Sequence, residues 1–207
     1  MTEFLGFTLL GYLLGSLPFG LIFGRLFKGV DVRDHGSGAT GMTNVLRTVG
    51  IKAAILVLVL DMSKSVIAIV AARLMTESPS IEVAAGVASM VGHIWPIFSG
   101  FRGGKGVAPG WSGLFPLSPI CGIVATLVGV PIIILTRYVS LGSIIGAISG
   151  TGLLVVLSLS GQTSGVYAWY GFLGGIIVIA RHKDNLSRLV KGNERRLNMP
   201  KGIPTIR

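Results

Sequence analysis

Between Gly92 and Gly110 the chain reads Gly-His-Ile-Trp-Pro-Ile-Phe-Ser-Gly-Phe-Arg-Gly-Gly-Lys-Gly-Val-Ala-Pro-Gly, and the centre of that stretch is suited to holding a phosphate. Gly103, Gly104 and Gly106 surround Lys105, with Arg102 just before them. Glycine lets backbone N–H groups turn inward with no side chain in the way, and such a nest binds anions. Lys105 adds a compact point charge. The nucleotide-binding pattern of Gly, four residues, then Gly-Lys-Ser/Thr is not met, because only three residues separate Gly100 from Gly104 and a glycine follows the lysine. The competing reading is a basic loop that merely fixes orientation in a membrane, which gives three glycines around one lysine no role.

A second small-residue loop, Gly36-Ser37-Gly38-Ala39-Thr40-Gly41, formally matches the dinucleotide fingerprint. That fingerprint belongs between a strand and a helix, whereas here it follows an apolar helical segment, so a phosphate loop fits better. Ser37 supplies a hydroxyl, Thr43 and Asn44 follow, and Arg47 offers a planar fork that matches phosphate oxygens. The alternative is a flexible loop with an interfacial arginine.

Asp61 and Lys64 lie three apart in an apolar run, so on a helix they share a face and pair. Charges there are costly and serve either as a structural ion pair or as support for a site. His93 precedes Trp95-Pro96 at the end of an apolar segment and reads as a structural histidine at the membrane interface. In the segment Arg181-His-Lys-Asp-Asn185-Leu-Ser-Arg188, a continued helix puts His182 and Asn185 on one face with Arg188 nearby. Lys191, Arg195 and Arg196 read as cations for anionic lipid. The three histidines are scattered with no ligand pair at helical spacing, so neither metal nor cofactor is expected.

The elements that must position these groups follow from composition. Of 207 residues 51% are hydrophobic and only 13% are charged, with a mean hydropathy of +0.76. A soluble domain carries about twice that charge, so this is an all-α integral membrane protein. The net charge of +10 then speaks to orientation and to anionic lipid or substrate, not to nucleic acid. The lone Cys121 excludes an intramolecular disulfide. One membrane domain over 1–207 is expected, with spans at about 4–23, 51–74, 81–98, 107–117, 118–136, 141–159 and 166–180 and a basic tail over 181–207. The fourth is short for a crossing and holds Pro109 and Pro116. Seven crossings with the N-terminus outside nevertheless put every lysine and arginine except Lys64 and Arg73 on the cytoplasmic side, as the positive-inside bias requires. All the glycine-rich and basic motifs then share the cytoplasmic face.

Taken together the motifs resemble the bacterial membrane family of acyl-phosphate:glycerol-3-phosphate acyltransferases, the PlsY family. The resemblance rests on Gly15-Ser-Leu-Pro18-Phe-Gly20, the loop from Gly36 to Arg47, Leu60-Asp61 with Lys64, the Gly92–Gly110 stretch, the turn from Arg137 to Ser143, and the tail motif from Arg181 to Leu189. The departures are Ala39 where the family has Asn, Met42 for Ala, Ser65 for Gly and Pro109 for Thr. The resemblance implies transfer of a fatty acyl group from acyl phosphate to the sn-1 hydroxyl of glycerol 3-phosphate, giving lysophosphatidic acid and phosphate at the inner face of the bacterial cytoplasmic membrane.

Both substrates in that reaction carry phosphate, which suits two glycine loops and several cations. The expected catalytic set is Ser37, Arg47, Lys105, His182 and Asn185. Substrate contacts are expected from Gly36, Gly38, Gly41, Thr43, Asn44, Gly103, Gly104, Gly106, Ser143 and Arg188, with Asp61 and Lys64 in support. The His-x4-Asp pair of soluble-type glycerolipid acyltransferases is absent, since Thr40, Phe98 and Ser187 follow the three histidines at that spacing. A transporter of phosphorylated solutes is the rival reading, but no internal repeat is visible and the motifs gather at one face, not at the midplane.

Overall fold

The computed structural model describes residues 1–197, and all regular structure in them is helical. The helices are α1 (Thr2–Gly15), α2 (Phe19–Lys28), α3 (Met42–Thr48), α4 (Ile51–Thr76), α5 (Pro79–Ile94), α6 (Val107–Ser112), α7 (Leu114–Leu117), α8 (Pro119–Thr136), α9 (Val139–Leu159), α10 (Tyr167–Arg181) and α11 (Lys183–Val190). Among the described residues five segments are long and apolar enough to cross a bilayer: Thr2–Lys28, Ile51–Thr76, Pro79–Ser99, Pro119–Thr136 and Val139–Leu159. Tyr167–Arg181 is apolar but shorter. Leucines and isoleucines such as Leu127, Ile134, Leu135 and Leu159 stand exposed on the outer surface, as lipid-facing positions do.

The expected span 4–23 is two helices. Proline has no N–H and its ring collides with the carbonyl four residues back, so the helix stops at Gly15 and restarts at Phe19. The break leaves the Leu17 carbonyl with only the Phe19 N–H, two residues on, at 3.1 Å, and the Lys64 ammonium on α4 also donates to it at 2.6 Å. In a membrane such a carbonyl must be satisfied from inside the protein. Gly15 faces the α5 backbone, where a Cβ would stand 2.8 Å from the Ser89 carbonyl carbon. Any side chain there would push α1 off α5.

The expected span 107–117 is not one helix but α6 and α7, broken at Gly113 and together far shorter than a bilayer core. Side-chain bonds hold this irregular segment from three sides. The Ser112 hydroxyl donates to the Met62 carbonyl of α4 at 2.7 Å. The Trp111 indole N–H donates to Thr126 of α8 at 3.0 Å, and the Tyr170 hydroxyl of α10 to the Gly110 carbonyl at 3.1 Å. Broken backbone at membrane depth is tolerated where protein surrounds it. Leu114, Leu154, Ile69, Met90 and Tyr170 close the core around it.

The expected span 81–98 also ends early. Helix α5 stops at Ile94, before Pro96, and a 3₁₀ turn over Ile97–Ser99 leads into the glycine loop. At the opposite end of the molecule Glu82 is buried and accepts from Arg73 at 2.6 Å and from Tyr167 at 2.8 Å, joining α4, α5 and α10. Helix α4 touches α1, α2, α3, α5, α6 and α7 and is the central post. A small core of Leu21, Val32, Val45, Ala53 and Val57 pins the first loop and α3 to its start.

Candidate active site

A cavity of about 330 Å³ opens at the end of the bundle where the motifs gather. Its polar mouth is lined by Ser37, Thr43, Arg47, Lys105, His182, Asn185 and Arg188. From there it runs between α6, α8 and α9 past Trp111, Val130, Ile133, Gly146 and Thr151. One end thus suits anions and the other an aliphatic chain. Ser143, Gly41, Asn44 and Asp61 also line it, whereas Gly36, Gly38, Gly103, Gly104, Gly106 and Lys64 do not.

The glycine loop works differently from the expected anion nest. The N–H groups of Gly103 and Gly104 donate to the carbonyls of Ile94 and His93, at 3.2 and 3.0 Å. They satisfy the C-terminus of α5, whose last carbonyls have no intrahelical partner. A Cβ at Gly104 would overlap the His93 imidazole, so the glycines let the loop lie flat on the helix end. Lys105 is thereby carried over the cavity with its ammonium donating to Asn185 Oδ1.

The first loop is also closed on itself. The Asn44 amide donates to the carbonyls of Val32, His35 and Ala39 at 2.7–3.1 Å and accepts from the Ser37 N–H at 2.9 Å. Asn44 is therefore the loop's internal brace, with its amide N–H groups taken up inside the loop. Gly38 N–H donates to His35 O and Thr40 N–H to Gly103 O, so with Ser37 three of the loop N–H groups are bonded within the protein. The side chains of Ser37, Thr43 and Arg47 line the cavity.

The tail motif does not continue α10. The helix ends at Arg181 and α11 restarts at Lys183, yet His182 and Asn185 are both buried and face the cavity. His182 Nδ1 lies 2.8 Å from the Val178 carbonyl, which can only accept, so Nδ1 carries the proton and Nε2 is left as an acceptor. Burial drives the His182 pKa down to about 4; the Val178 bond opposes this and the nearby Lys105 cation reinforces it. His182 is neutral at pH 7. Burial likewise lowers Lys105 to about 8; Glu194 opposes, while Arg188, Arg181 and Arg47 push the same way. Arg47 is lowered too, by burial and by Arg195.

Two residues of the tail were not expected here. Glu194 accepts from Asn185 at 2.7 Å, from Arg188 at 2.7 Å and from Ser140 at 2.9 Å, and it lines the cavity. Burial raises its pKa but these three donors together outweigh it, and the carboxyl is lowered overall. Arg195 lines the cavity as well, and its carbonyl accepts from Arg47 at 3.3 Å. The one available signal was an acid set among basic residues in Gly-Asn-Glu-Arg-Arg. Arg196, by contrast, lies over the Tyr138 ring at 5.3 Å. The expected interfacial His93 is buried, its Nδ1 3.5 Å from Asp61, and Asp61 pairs with Lys64 at 2.7 Å. This buried network lies directly beneath the Lys105 loop. Among the described residues no group of three or more His, Cys, Asp or Glu is placed to hold a metal ion.

A family model described as glycerol-3-phosphate acyltransferase matches residues 5–192. A glycerol-3-phosphate acyltransferase 3 of Dehalococcoides mccartyi is 39% identical, over 92% of this chain and 94% of that protein. A glycerol-3-phosphate acyltransferase of Halalkalibacterium halodurans is 41% identical, over 92% and 93%. The crystal structure of PlsY, an integral membrane glycerol 3-phosphate acyltransferase, in its glycerol 3-phosphate form superposes with a TM-score of 0.85 at 37% identity over 94% of this chain and 96% of that one. Its lysophosphatidic acid form gives 0.83 at the same identity.

Proposed function

We propose that this chain, which belongs to the PlsY-type glycerol-3-phosphate acyltransferase family, makes lysophosphatidic acid by taking its acyl group from acyl phosphate. The observation that carries the donor assignment is the shape of the cavity: a small cationic mouth continuous with an apolar groove between α8 and α9. A phosphate and an aliphatic chain fill that shape, whereas an acyl-CoA would need room for a nucleotide.

Glycerol 3-phosphate lies at the mouth, its phosphate held by Arg188, Lys105 and Asn185, and its sn-2 hydroxyl directed at His182 Nε2, with the sn-1 hydroxyl facing the acyl phosphate. The acyl phosphate places its chain along Trp111 and Val130 and its phosphate against Arg47, Arg195 and the Ser37 hydroxyl. The hydroxyl oxygen attacks the acyl carbonyl carbon, the bond from that carbon to the phosphate oxygen breaks, and inorganic phosphate leaves. Lys105 and Arg47 stabilise the negative charge that grows on the carbonyl and on the leaving group, where donors act most strongly. The hydroxyl proton goes to a phosphate oxygen, whose second pKa of about 6 makes it a better base than a histidine held near 4. His182 Nε2 orients the substrate by accepting from its other hydroxyl, at sn-2, which leaves the sn-1 proton free to reach the phosphate oxygen.

The chain crosses the membrane seven times with its N-terminus outside and the site facing the cytoplasm. Two placements support this. Arg137, at the end of α8, accepts from Leu197 in the tail and so stands at the same end of the bundle as Lys105 and Asn185. Helix α8 spans about 27 Å at 1.5 Å per residue and is capped by Arg137 on the Lys105 side, so it starts toward the far face, which the chain reaches through the loop after Lys105 together with the short α6 and α7.

One experiment tests donor and orientation together. Sealed inverted membrane vesicles given acyl phosphate and external glycerol 3-phosphate are expected to release one phosphate per lysophosphatidic acid formed. Right-side-out vesicles are expected to be silent until made permeable. Thiol release from acyl-CoA with phosphate at background overturns the donor, and equal rates from both vesicle types overturn the orientation.

Lys105 sets a pH dependence. A lysine depressed to about 8 is charged below that pH and loses its proton as pH rises through it. The value of kcat/KM for glycerol 3-phosphate reports the free enzyme, so it is expected to fall above pH 8. Bound phosphate dianions favour the ammonium, so kcat is expected to hold to higher pH. A kcat/KM profile flat from pH 7 to 9.5 removes Lys105 from phosphate binding.

A further inference from the structure

Behind the first loop lies a second depression of about 570 Å³ that shares no lining residue with the acyl-transfer cavity. Pro18, Leu21, Ile22 and Arg25 line it along one stripe of α2, and Phe98, Ser99, Gly100 and Arg102 line it from the segment that leads into Lys105. Arg33, from the 3₁₀ turn Val32–Asp34, completes it. Among the described residues three guanidiniums therefore reach one depression, and no carboxylate lines it.

The arrangement is built, not merely crowded. Arg33 Nη1 donates to the Ser99 carbonyl at 2.8 Å, and its other nitrogens bind Asp31 at 2.6–3.2 Å. Asp31 fixes Arg33 from behind and, held at a pKa of about 2 by the Arg33 hydrogen bonds against the pull of burial, offsets one of the three charges. Arg25 lies 3.7 Å from the same carboxylate, and its side chain is 67% exposed. Arg102 is exposed as well. The Ser99 hydroxyl is buried with no hydrogen-bond partner. On the apolar side Ile22 and Phe98 are 45% and 58% exposed, so the lip that continues the α2 stripe toward the membrane is greasy.

We propose that this depression binds the phosphate of an anionic membrane phospholipid, with Arg25, Arg33 and Arg102 around the phosphate and the acyl chains laid over Ile22 and Phe98. A phosphate anion satisfies the net positive charge, and the apolar lip selects one attached to a lipid over a free one. The site lies where it bears on the reaction. Arg33 binds the Ser99 carbonyl and the Thr40 N–H donates to the Gly103 carbonyl at 3.4 Å, so the two loops that carry Ser37 and Lys105 are already cross-linked there. A lipid phosphate bridging Arg25 and Arg102 braces the same pair of loops.

Native mass spectrometry of the full chain in detergent, titrated with phosphatidylglycerol or phosphatidylcholine, tests this without relying on acyl transfer. The protein is expected to retain one phosphatidylglycerol in preference to phosphatidylcholine. Arg25→Gln and Arg102→Gln are each expected to weaken retention about fivefold and the double variant about thirtyfold, from the usual contribution of one cation at an anionic lipid surface. Lys105→Ala, in the other cavity, is expected to retain the lipid as the wild type does. Equal retention by the double variant, or no preference between the lipids, overturns the proposal. Displacement of phosphatidylglycerol by millimolar inorganic phosphate overturns it too, by assigning the depression to a free anion.

Discussion

Alanine at Lys105 is expected to lower kcat by about 10²–10³-fold, the range seen when one donor to a developing oxyanion is removed. The side chain reaches across the cavity mouth to Asn185 and is only half-buried, so its loss leaves the core of Ile69, Leu114, Leu154 and Tyr170 untouched. The backbone bonds that seat the loop come from Gly103 and Gly104 and remain in place. Folding in detergent is thus expected to match the wild type. Arg196→Ala is the control: that guanidinium lies over Tyr138, removes the same unit of charge from the tail, and is expected to keep most activity. Acyl transfer measured at saturating glycerol 3-phosphate separates the two. Similar losses in both variants would mean that bulk charge, and not the Lys105 position, supports the reaction.

The second large effect lies beneath the loop. Asp61 and Lys64 are paired at 2.7 Å in the interior, with His93 against the carboxylate at 3.5 Å. Asp61→Ala is expected to destabilise the protein by about 3–5 kcal/mol, because an uncompensated ammonium is left in a low-dielectric interior. Lys64 keeps its bond to the Leu17 carbonyl and its place over the Phe19 ring at 4.9 Å, so the stranded charge cannot simply leave. Replacing both, Asp61→Ala with Lys64→Met, is expected to restore part of the loss, since the buried charge is gone and the Leu17 carbonyl keeps its bond from the Phe19 N–H at 3.1 Å. Unfolding by SDS titration in mixed micelles gives the comparison. A single variant as stable as the wild type, or a double variant worse than the sum of its singles, rejects the pair as the anchor of the α1–α2 break.

Pairwise and collective facts divide differently between sequence and structure. The sequence by itself determined the class of protein, because 13% charge and long apolar runs admit no soluble core. It also singled out Lys105, Arg47, Ser37, His182 and Asn185, which stand in motifs with no other evident use, and all five line one cavity. The expected single span 4–23 missed the break, although Pro18, which acts on its own chain within four residues, marks its place.

What only the tertiary structure decided is where each backbone group finds its partner. The loop N–H groups of Gly103 and Gly104 are as well suited to an anion as to a helix end, and the choice depends on α5 stopping at Ile94 directly beneath them. Asn44 reads as a ligand until the carbonyls of Val32, His35 and Ala39 close around it. Glu194 and Arg195 reach the cavity only because the tail folds back along α9 and the Arg137–Tyr138 turn, a path fixed by contacts more than 50 residues apart in sequence. Spacing along a chain reports neighbours within a helix turn or a loop. Hydrogen-bond satisfaction in a membrane interior is settled among whichever groups packing brings together, and that is a property of the assembled bundle.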